Sequence, residues 1–275
     1  MSIQGKNKKL NTRKIRMHKR SMKEKPLSML TCYDFQTAQL LNETDLDLIL
    51  VGDSLGNVIL GLEDTIGVTV EHMSLFGKAV RRGAPNKFLV VDMPFGSTNS
   101  MEKGLNAAEK IMRETGCDSI KIEGAAQHII DLIERLTQSG IPVMGHIGLI
   151  PQSVHQLGGY YRHGKDENSA DVLLNHAIAL EKAGCHSIVL ECIEDQTATR
   201  ISEELSIPTI GIGSGNLTDG QVLVINDLLK IGPAKTPSFV KPVSDLYSLK
   251  KDLVNQYLSK QTYPKINHDK DTLHN

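Results

Sequence analysis

The sequence predicts an α/β protein folded as a (β/α)₈ TIM-type barrel, on three observations. Short apolar runs alternate with stretches of helical spacing from residue 27 onward. The runs are continuously hydrophobic, as in Leu48-Ile49-Leu50-Val51 and Phe88-Leu89-Val90-Val91, which marks parallel strands covered on both faces. Seven or eight such units fit in about 225 residues, close to the ~250 typical of that barrel. A doubly wound open sheet is the alternative arrangement of the same units.

The first 25 residues carry ten Lys/Arg against the single acid Glu24. They lack the apolar core of a secretory signal, although an Arg-rich, acid-poor start also suits a transit peptide or a basic arm. The plainer reading is a solvated helical face. Thr12 caps a short helix, Ile15 points inward and Pro26 ends it. The strands then follow as Leu27–Tyr33, Asp47–Val51, Lys87–Met93, Ser119–Glu123, Ile141–Gly145, Ser187–Cys192 and Pro208–Ile212, with an eighth at Val222–Ile225. Between them, Met73, Leu75 and Val80 read as core positions of a helix. Ile129, Leu132, Ile133 and Leu136 fall at i, i+3, i+4, i+7, and Leu173, Ala177 and Leu180 at i, i+4, i+7. Gly116, Gly140 and Gly184 stand where a helix end calls for a left-handed residue. Leu246–Tyr257 is a closing helix. No linker or repeat divides the chain, so one domain spans 1–275, with the basic segment 1–25 in front and a C-terminal tail from about 242.

Composition agrees. The 275 residues hold 31 Lys+Arg and 32 Asp+Glu, a net charge of −1, with 40% apolar and 23% charged residues. Those proportions exclude collagenous and largely disordered chains, and the balanced charge argues against nucleic-acid or membrane-surface binding. No run of ~18 apolar residues exists to span a membrane. Cys32, Cys117, Cys185 and Cys192 form no CxxC pair and read as reduced, buried thiols of a cytoplasmic protein.

Polar residues break the strand pattern at one end only. Asp53 and Ser54 follow strand two, Asp92 ends strand three, Lys121 and Glu123 share one face of strand four, His146 lies on strand five and Glu191 ends strand six. In a barrel, that C-terminal rim is where active sites are built. Asp53, Asp92 and Glu123 offer hard oxygen donors without Cys or paired His, which points to Mg²⁺ before Zn²⁺. A 2-oxo acid chelating such an ion would be polarised toward an enolate. Lys121 would neutralise its carboxylate and Glu191 would remove the adjacent proton. Single residues carry blander readings. A strand-end Asp is often a cap, Lys121 can be a structural partner of Glu123, and His146 a satisfied core histidine. The run Gly211-Ile212-Gly213-Ser214-Gly215 suits either an anion cradle or tight backbone passage.

Long motifs carry a family resemblance: Leu50-Val51-Gly52-Asp53-Ser54-Leu55-Gly56, Val91-Asp92-Met93-Pro94-Phe95-Gly96-Ser97, Ile120-Lys121-Ile122-Glu123-Gly124, Gly145-His146-Ile147-Gly148-Leu149 with Pro151-Gln152-Ser153-Val154, and Thr218-Asp219-Gly220-Gln221. From about Ile15 to Lys241 the sequence resembles the ketopantoate hydroxymethyltransferase family. The resemblance implies a barrel of the phosphoenolpyruvate mutase/isocitrate lyase superfamily. It implies transfer of a one-carbon unit from 5,10-methylenetetrahydrofolate to 3-methyl-2-oxobutanoate, the first committed step toward pantothenate and coenzyme A. It places Mg²⁺ ligands at Asp53, Asp92 and Glu123, oxo-acid contacts at Asp53, Ser54, Asp92 and Lys121, a further site histidine at His146 and the proton acceptor at Glu191. It also implies a homo-oligomer, often a decamer. Departures from the family pattern fall at Gly67, Leu75, Phe76, Lys165, Asn226 and Ser238, positions that bear on folate affinity and assembly rather than on metal or base. The competing expectations are a superfamily lyase acting on another oxo acid and an inactive scaffold.

Overall fold

A computed structural model describes residues 9–19, 25–153 and 161–261. Eight parallel strands close into a barrel in chain order. They are β1 (Leu27–Thr31), β2 (Leu48–Val51), β3 (Phe88–Asp92), β4 (Ser119–Glu123), β5 (Val143–Gly148), β6 (Ser187–Glu191), β7 (Thr209–Ile212) and β8 (Gly220–Leu223). Strand β8 pairs back to β1 from Leu27↔Gly220 to Leu30↔Leu223, which removes the open-sheet alternative.

All but one of the strands differ from the sequence expectation by one to three residues at an end, and the starts of β5 and β8 do so for local reasons. Strand β5 starts at Val143 because Ile141 still donates its N–H to Leu136 O at 3.0 Å, finishing the preceding helix. Strand β8 starts at Gly220, a residue of low β-propensity that the apolar pattern passes over. A Cβ there would stand 2.7 Å from Leu27 O, so the pairing with β1 needs glycine.

Helices α1 (Thr12–Arg16), α2 (Phe35–Asn42), α3 (Leu55–Val58), α4 (Val70–Gly83), α5 (Met101–Thr115), α6 (Gln127–Gln138), α7 (Glu167–Lys182) and α8 (Asp195–Glu204) lie between or before the strands. Polar caps begin several of them. Asp34 accepts from Thr37 N, Ser100 from Lys103 N, and Asp166 forms a capping box with Ser169. The expected stripes on α6 and α7 are buried. Gly116, Gly140 and Gly184 have φ of +63°, +88° and +100° at the helix ends. On α4, Met73 and Val80 are core, but Leu75 faces outward at 62% exposure. It sits two residues from Met73, about 200° around the helix, so the two cannot share a face.

Helix α1 corrects the reading of the N-terminus. Asn11, not Thr12, caps it by accepting from Lys14 N at 2.9 Å, and it ends at Met17 rather than at Pro26. Ile15 does point inward, into the cluster of Leu27, Met29, Leu48, Leu50, Phe88, Val90, Met144, Val189, Ile210 and Val222 that fills the barrel. Nor is the basic face wholly solvated. The Lys19 ammonium donates to Ser202 O at 2.7 Å and Ile207 O at 3.2 Å and pairs with the buried Asp219 at 2.7 Å.

Chain contacts gather into two units, residues 1–225 and 226–275. The first holds the whole barrel. In the second, helix α10 (Leu246–Ser259) buries none of its residues, and Lys230 forms an ion pair with Asp245 at its N-cap. Helix α9 (Ile225–Leu229) begins at the boundary. Among the described residues, no helix is long and apolar enough to cross a membrane.

Candidate active site

Side chains of a strand alternate between barrel interior and helix layer. Val90, Met144 and Val189 belong to the interior cluster, so Asp92, His146 and Glu191, two residues further along, point the same way. Strand register then sets the neighbours. Asp92 pairs with Lys121, and Glu123 with His146. The result is one buried charge cluster in the barrel mouth.

Lys121 Nζ lies 3.2 Å from Asp92 Oδ1 and 3.8 Å from Glu123 Oε1. His146 stands between two acids, with Nδ1 3.3 Å from Glu123 Oε1 and Nε2 3.2 Å from Glu191 Oε2. Asp53, in the turn after β2, donates its N–H to Asp92 Oδ2 at 3.0 Å. Ser54 Oγ shares a 2.8 Å hydrogen bond with the Tyr33 hydroxyl. All six residues expected in the acid–base cluster (Asp53, Asp92, Lys121, Glu123, His146, Glu191) thus converge, and Ser54 stands beside them.

Four carboxylates here face two cations, and burial makes the excess negative charge costly. Burial, followed by the charges of Glu123 and Asp92, raises the Asp53 carboxyl well above its ordinary range. Asp92 is raised as well, chiefly by burial and despite Lys121. Glu123 goes the other way. Burial opposes its charge, but the hydrogen bond to His146 and the nearby cations outweigh it. Burial and Lys121 both disfavour a charged His146, yet Glu123 and Glu191 raise it to about 9. Lys121 stays cationic because Asp92, Glu123 and Asp53 outweigh its desolvation.

The donor set fits a hard divalent cation. Asp92 Oδ1, although near Lys121, accepts no well-aligned hydrogen bond among the described residues, and a 2+ ion would balance the surplus charge. Among the described residues, no three acidic, His or Cys side chains already form a ligand shell. An ion would therefore rest on one or two carboxylates and complete its octahedron with substrate and water, as Mg²⁺ commonly does.

Two residues were not singled out from the sequence. Gln152, in a 3₁₀ turn (Pro151–Ser153), donates Nε2 to Asp53 Oδ2 at 2.7 Å and to Met93 O at 3.0 Å, and its N–H to Glu123 Oε2 at 3.3 Å. No strand pattern reaches that loop. Tyr33 is fully buried just past β1, and the strand-end rule used for the acids would have found it. The Gly211–Gly215 run resolves toward tight passage, since a Cβ at Gly211 would meet Thr218 Oγ1 at 2.7 Å. Cys32, Cys117 and Cys185 are buried free thiols as expected, whereas Cys192 is half-buried.

A closed parallel barrel with acid, lysine and histidine side chains gathered inside its C-terminal mouth defines an enzyme of the TIM-barrel class. Solved structures of similar fold include a phosphoenolpyruvate phosphomutase from Streptomyces platensis (TM-score 0.62, 12% identity, covering 87% of this chain and 85% of that one). Another is a phosphonopyruvate hydrolase in complex with oxalate and Mg²⁺ (TM-score 0.56, 8% identity, 86% and 94% covered). A third, 2,3-dimethylmalate lyase, is described as a PEP mutase/isocitrate lyase superfamily member (TM-score 0.59, 14% identity, 90% and 87% covered). Residues 9–265 match the family model for ketopantoate hydroxymethyltransferase, and the chain belongs to that family. It is 49% identical over 248 residues to the 3-methyl-2-oxobutanoate hydroxymethyltransferase of Leptospira interrogans (90% of this chain, 93% of the relative). It is also 49% identical over 242 residues to that of Pseudothermotoga lettingae (87% and 91%). The chain is accordingly a transferase of hydroxymethyl groups.

Proposed function

We propose that the barrel mouth performs enolisation and hydroxymethylation of 3-methyl-2-oxobutanoate, with 5,10-methylenetetrahydrofolate as donor, yielding the precursor of pantoate. The observation that supports this most directly is the convergence of Lys121, Glu123, His146, Glu191, Asp53 and Ser54 on one cavity of about 100 Å³, a space suited to a small oxo acid.

Lys121 offers a fixed ammonium to the substrate carboxylate, and the Ser54 hydroxyl a hydrogen bond beside it. Asp53 and Asp92, with Glu123 as third candidate, would hold Mg²⁺, which when bound supplies electrophilic pull on the keto oxygen. Glu191 is the acid least enclosed, at 19% side-chain exposure, and its Oε2 is the proton acceptor for C3. His146 turns that carboxylate toward the cavity through the Nε2 contact and is itself set by Glu123. Water adds to the donor's methylene carbon and both of its C–N bonds break, so tetrahydrofolate leaves and the carbon is delivered as formaldehyde. The enolate C3 attacks that carbonyl carbon, and its oxygen, once protonated, is the new hydroxyl.

A homo-oligomer and a cytoplasmic setting belong to the same reading. The first is supported by α10, whose Leu249, Leu253, Val254, Tyr257 and Leu258 are all more than half exposed. The second is supported by the unpaired cysteines. The deciding experiment follows exchange of the C3 proton of 3-methyl-2-oxobutanoate in D₂O by NMR, with and without Mg²⁺. Mg²⁺-dependent exchange is expected. Turnover of a C–C-cleavable oxo acid with no exchange on this substrate would favour the lyase alternative.

A further inference from the structure

A second, much larger cavity of about 930 Å³ opens beside the acid cluster, and Glu123 and Gln152 form part of its wall. The small cavity shares Glu123 but leaves no room for a second substrate. Phe95 stands at the rim of the large one, 46% exposed, on a tight turn closed by Ser97 Oγ donating to Pro94 O at 2.6 Å. An aromatic ring held out on a rigid turn is a stacking platform for a flat partner.

The wall of this cavity carries His163. Its backbone is pinned on both sides, with N–H donating to Cys192 O at 2.8 Å and its carbonyl accepting from Glu194 N at 2.9 Å. The ring stacks on Tyr161 at 4.5 Å. Its Nε2 is shielded from solvent and has no hydrogen-bond partner among the described residues. Burial lowers the imidazole pKa of both His163 and His176, another wall residue. A buried imidazole nitrogen without a partner is costly unless a ligand supplies one.

We infer that this cavity seats the one-carbon donor, with its flat, nitrogen-rich two-ring heterocycle against Phe95 and a ring nitrogen or amino group on His163 Nε2. The inference rests on the proposed folate-dependent reaction. It adds where the donor lies and which residues hold it. The carbon to be transferred then enters the acid cluster past Glu123, the residue common to both cavities. The volume falls in the range of sites that enclose ligands of this size.

The test fills the cavity from two sides. Val172, on α7 and 51% exposed, and Asn99, exposed in the loop after β3, are each changed to Trp (V172W, N99W). Binding of tetrahydrofolate in the presence of 3-methyl-2-oxobutanoate is measured by calorimetry, and C3 proton exchange in D₂O is measured in the same samples. Weakening of tetrahydrofolate binding by about tenfold or more, with exchange retained, is expected in at least one variant. His163→Gln is expected to keep most of the affinity that His163→Ala loses, because the amide restores a hydrogen-bonding atom. Exchange retained with unaltered tetrahydrofolate binding in both Trp variants overturns the inference. Absence of exchange in the unmodified protein strikes instead at the proposed reaction.

Discussion

His146 Nε2 stands 3.2 Å from Glu191 Oε2, across the pairing of β5 with β6, an ion-pair contact to the least enclosed acid of the cluster beside the small cavity. The backbone around that acid is equally fixed. Gly148, at φ +100°, lies so close that a Cβ would meet Glu191 O at 2.2 Å, and Leu149 N donates to the same carbonyl at 2.8 Å.

Glu191→Gln preserves size and hydrogen bonding but removes the proton acceptor. C3 exchange is expected to fall by about 10³-fold, within the usual range for a general base. His146→Asn acts through Glu191 and is expected to lower kcat less, with KM for the oxo acid nearly unchanged. Exchange at the unmodified rate in Glu191→Gln would exclude it as the base.

Asp53→Asn and Asp92→Asn are expected to weaken divalent-cation binding. Titration with Mn²⁺ followed by paramagnetic resonance reads this without turnover. A loss of roughly 10- to 100-fold is the expected floor, since removing even a ligand's supporting partner costs that much. Unchanged Mn²⁺ affinity in both variants would remove the metal from these residues.

His186 makes stability depend on acid. It is buried between Ser119 Oγ (2.7 Å) and Ser187 Oγ (2.9 Å), and burial, with Arg16 adding, pushes its imidazole down to about 3. The unfolded chain takes up a proton near pH 6.5 and the folded one does not, so stability is full above 6.5 and declines as pH falls toward 3. The loss is on the order of 5 kcal/mol across that window. His186→Gln should flatten the decline in urea unfolding measured between pH 7 and pH 5, and an unchanged slope would contradict the assignment.

Cys192 adopts φ +50°, a left-handed conformation unusual for a side-chain-bearing residue. Cys192→Gly is expected to raise stability by about 1 kcal/mol, and Cys192→Val to lower it by more, in thermal unfolding. A destabilised glycine variant would mean that the thiol's packing outweighs the backbone strain.

Ile15 closes the end of the barrel opposite the acid cluster at 1% exposure. Ile15→Ala is expected to cost about 2–4 kcal/mol in urea unfolding while C3 exchange persists. A cost near zero would show that α1 merely rests on the barrel.

By itself the sequence determined the alternation of buried parallel strands with helices and the chemical character of the strands' C-terminal ends, while closure into a barrel rather than an open sheet was decided by the pairing of β8 with β1. Continuous apolar strands at regular spacing have few folds open to them, and a charged residue two places beyond the last inward apolar one must point into the same interior. Asp92, His146 and Glu191 were legible for that reason. Only the tertiary structure decided how these groups pair. Strand register sets Asp92 against Lys121 and Glu123 against His146, and register is a relation between segments that no single strand encodes. Gln152, His163 and Phe95 act from loops, where no period exists to read, and their roles arise from close approach across distant parts of the chain. The N-terminus shows the same division. Its charge was plain from composition, but that Lys19 would reach the buried Asp219 required the fold.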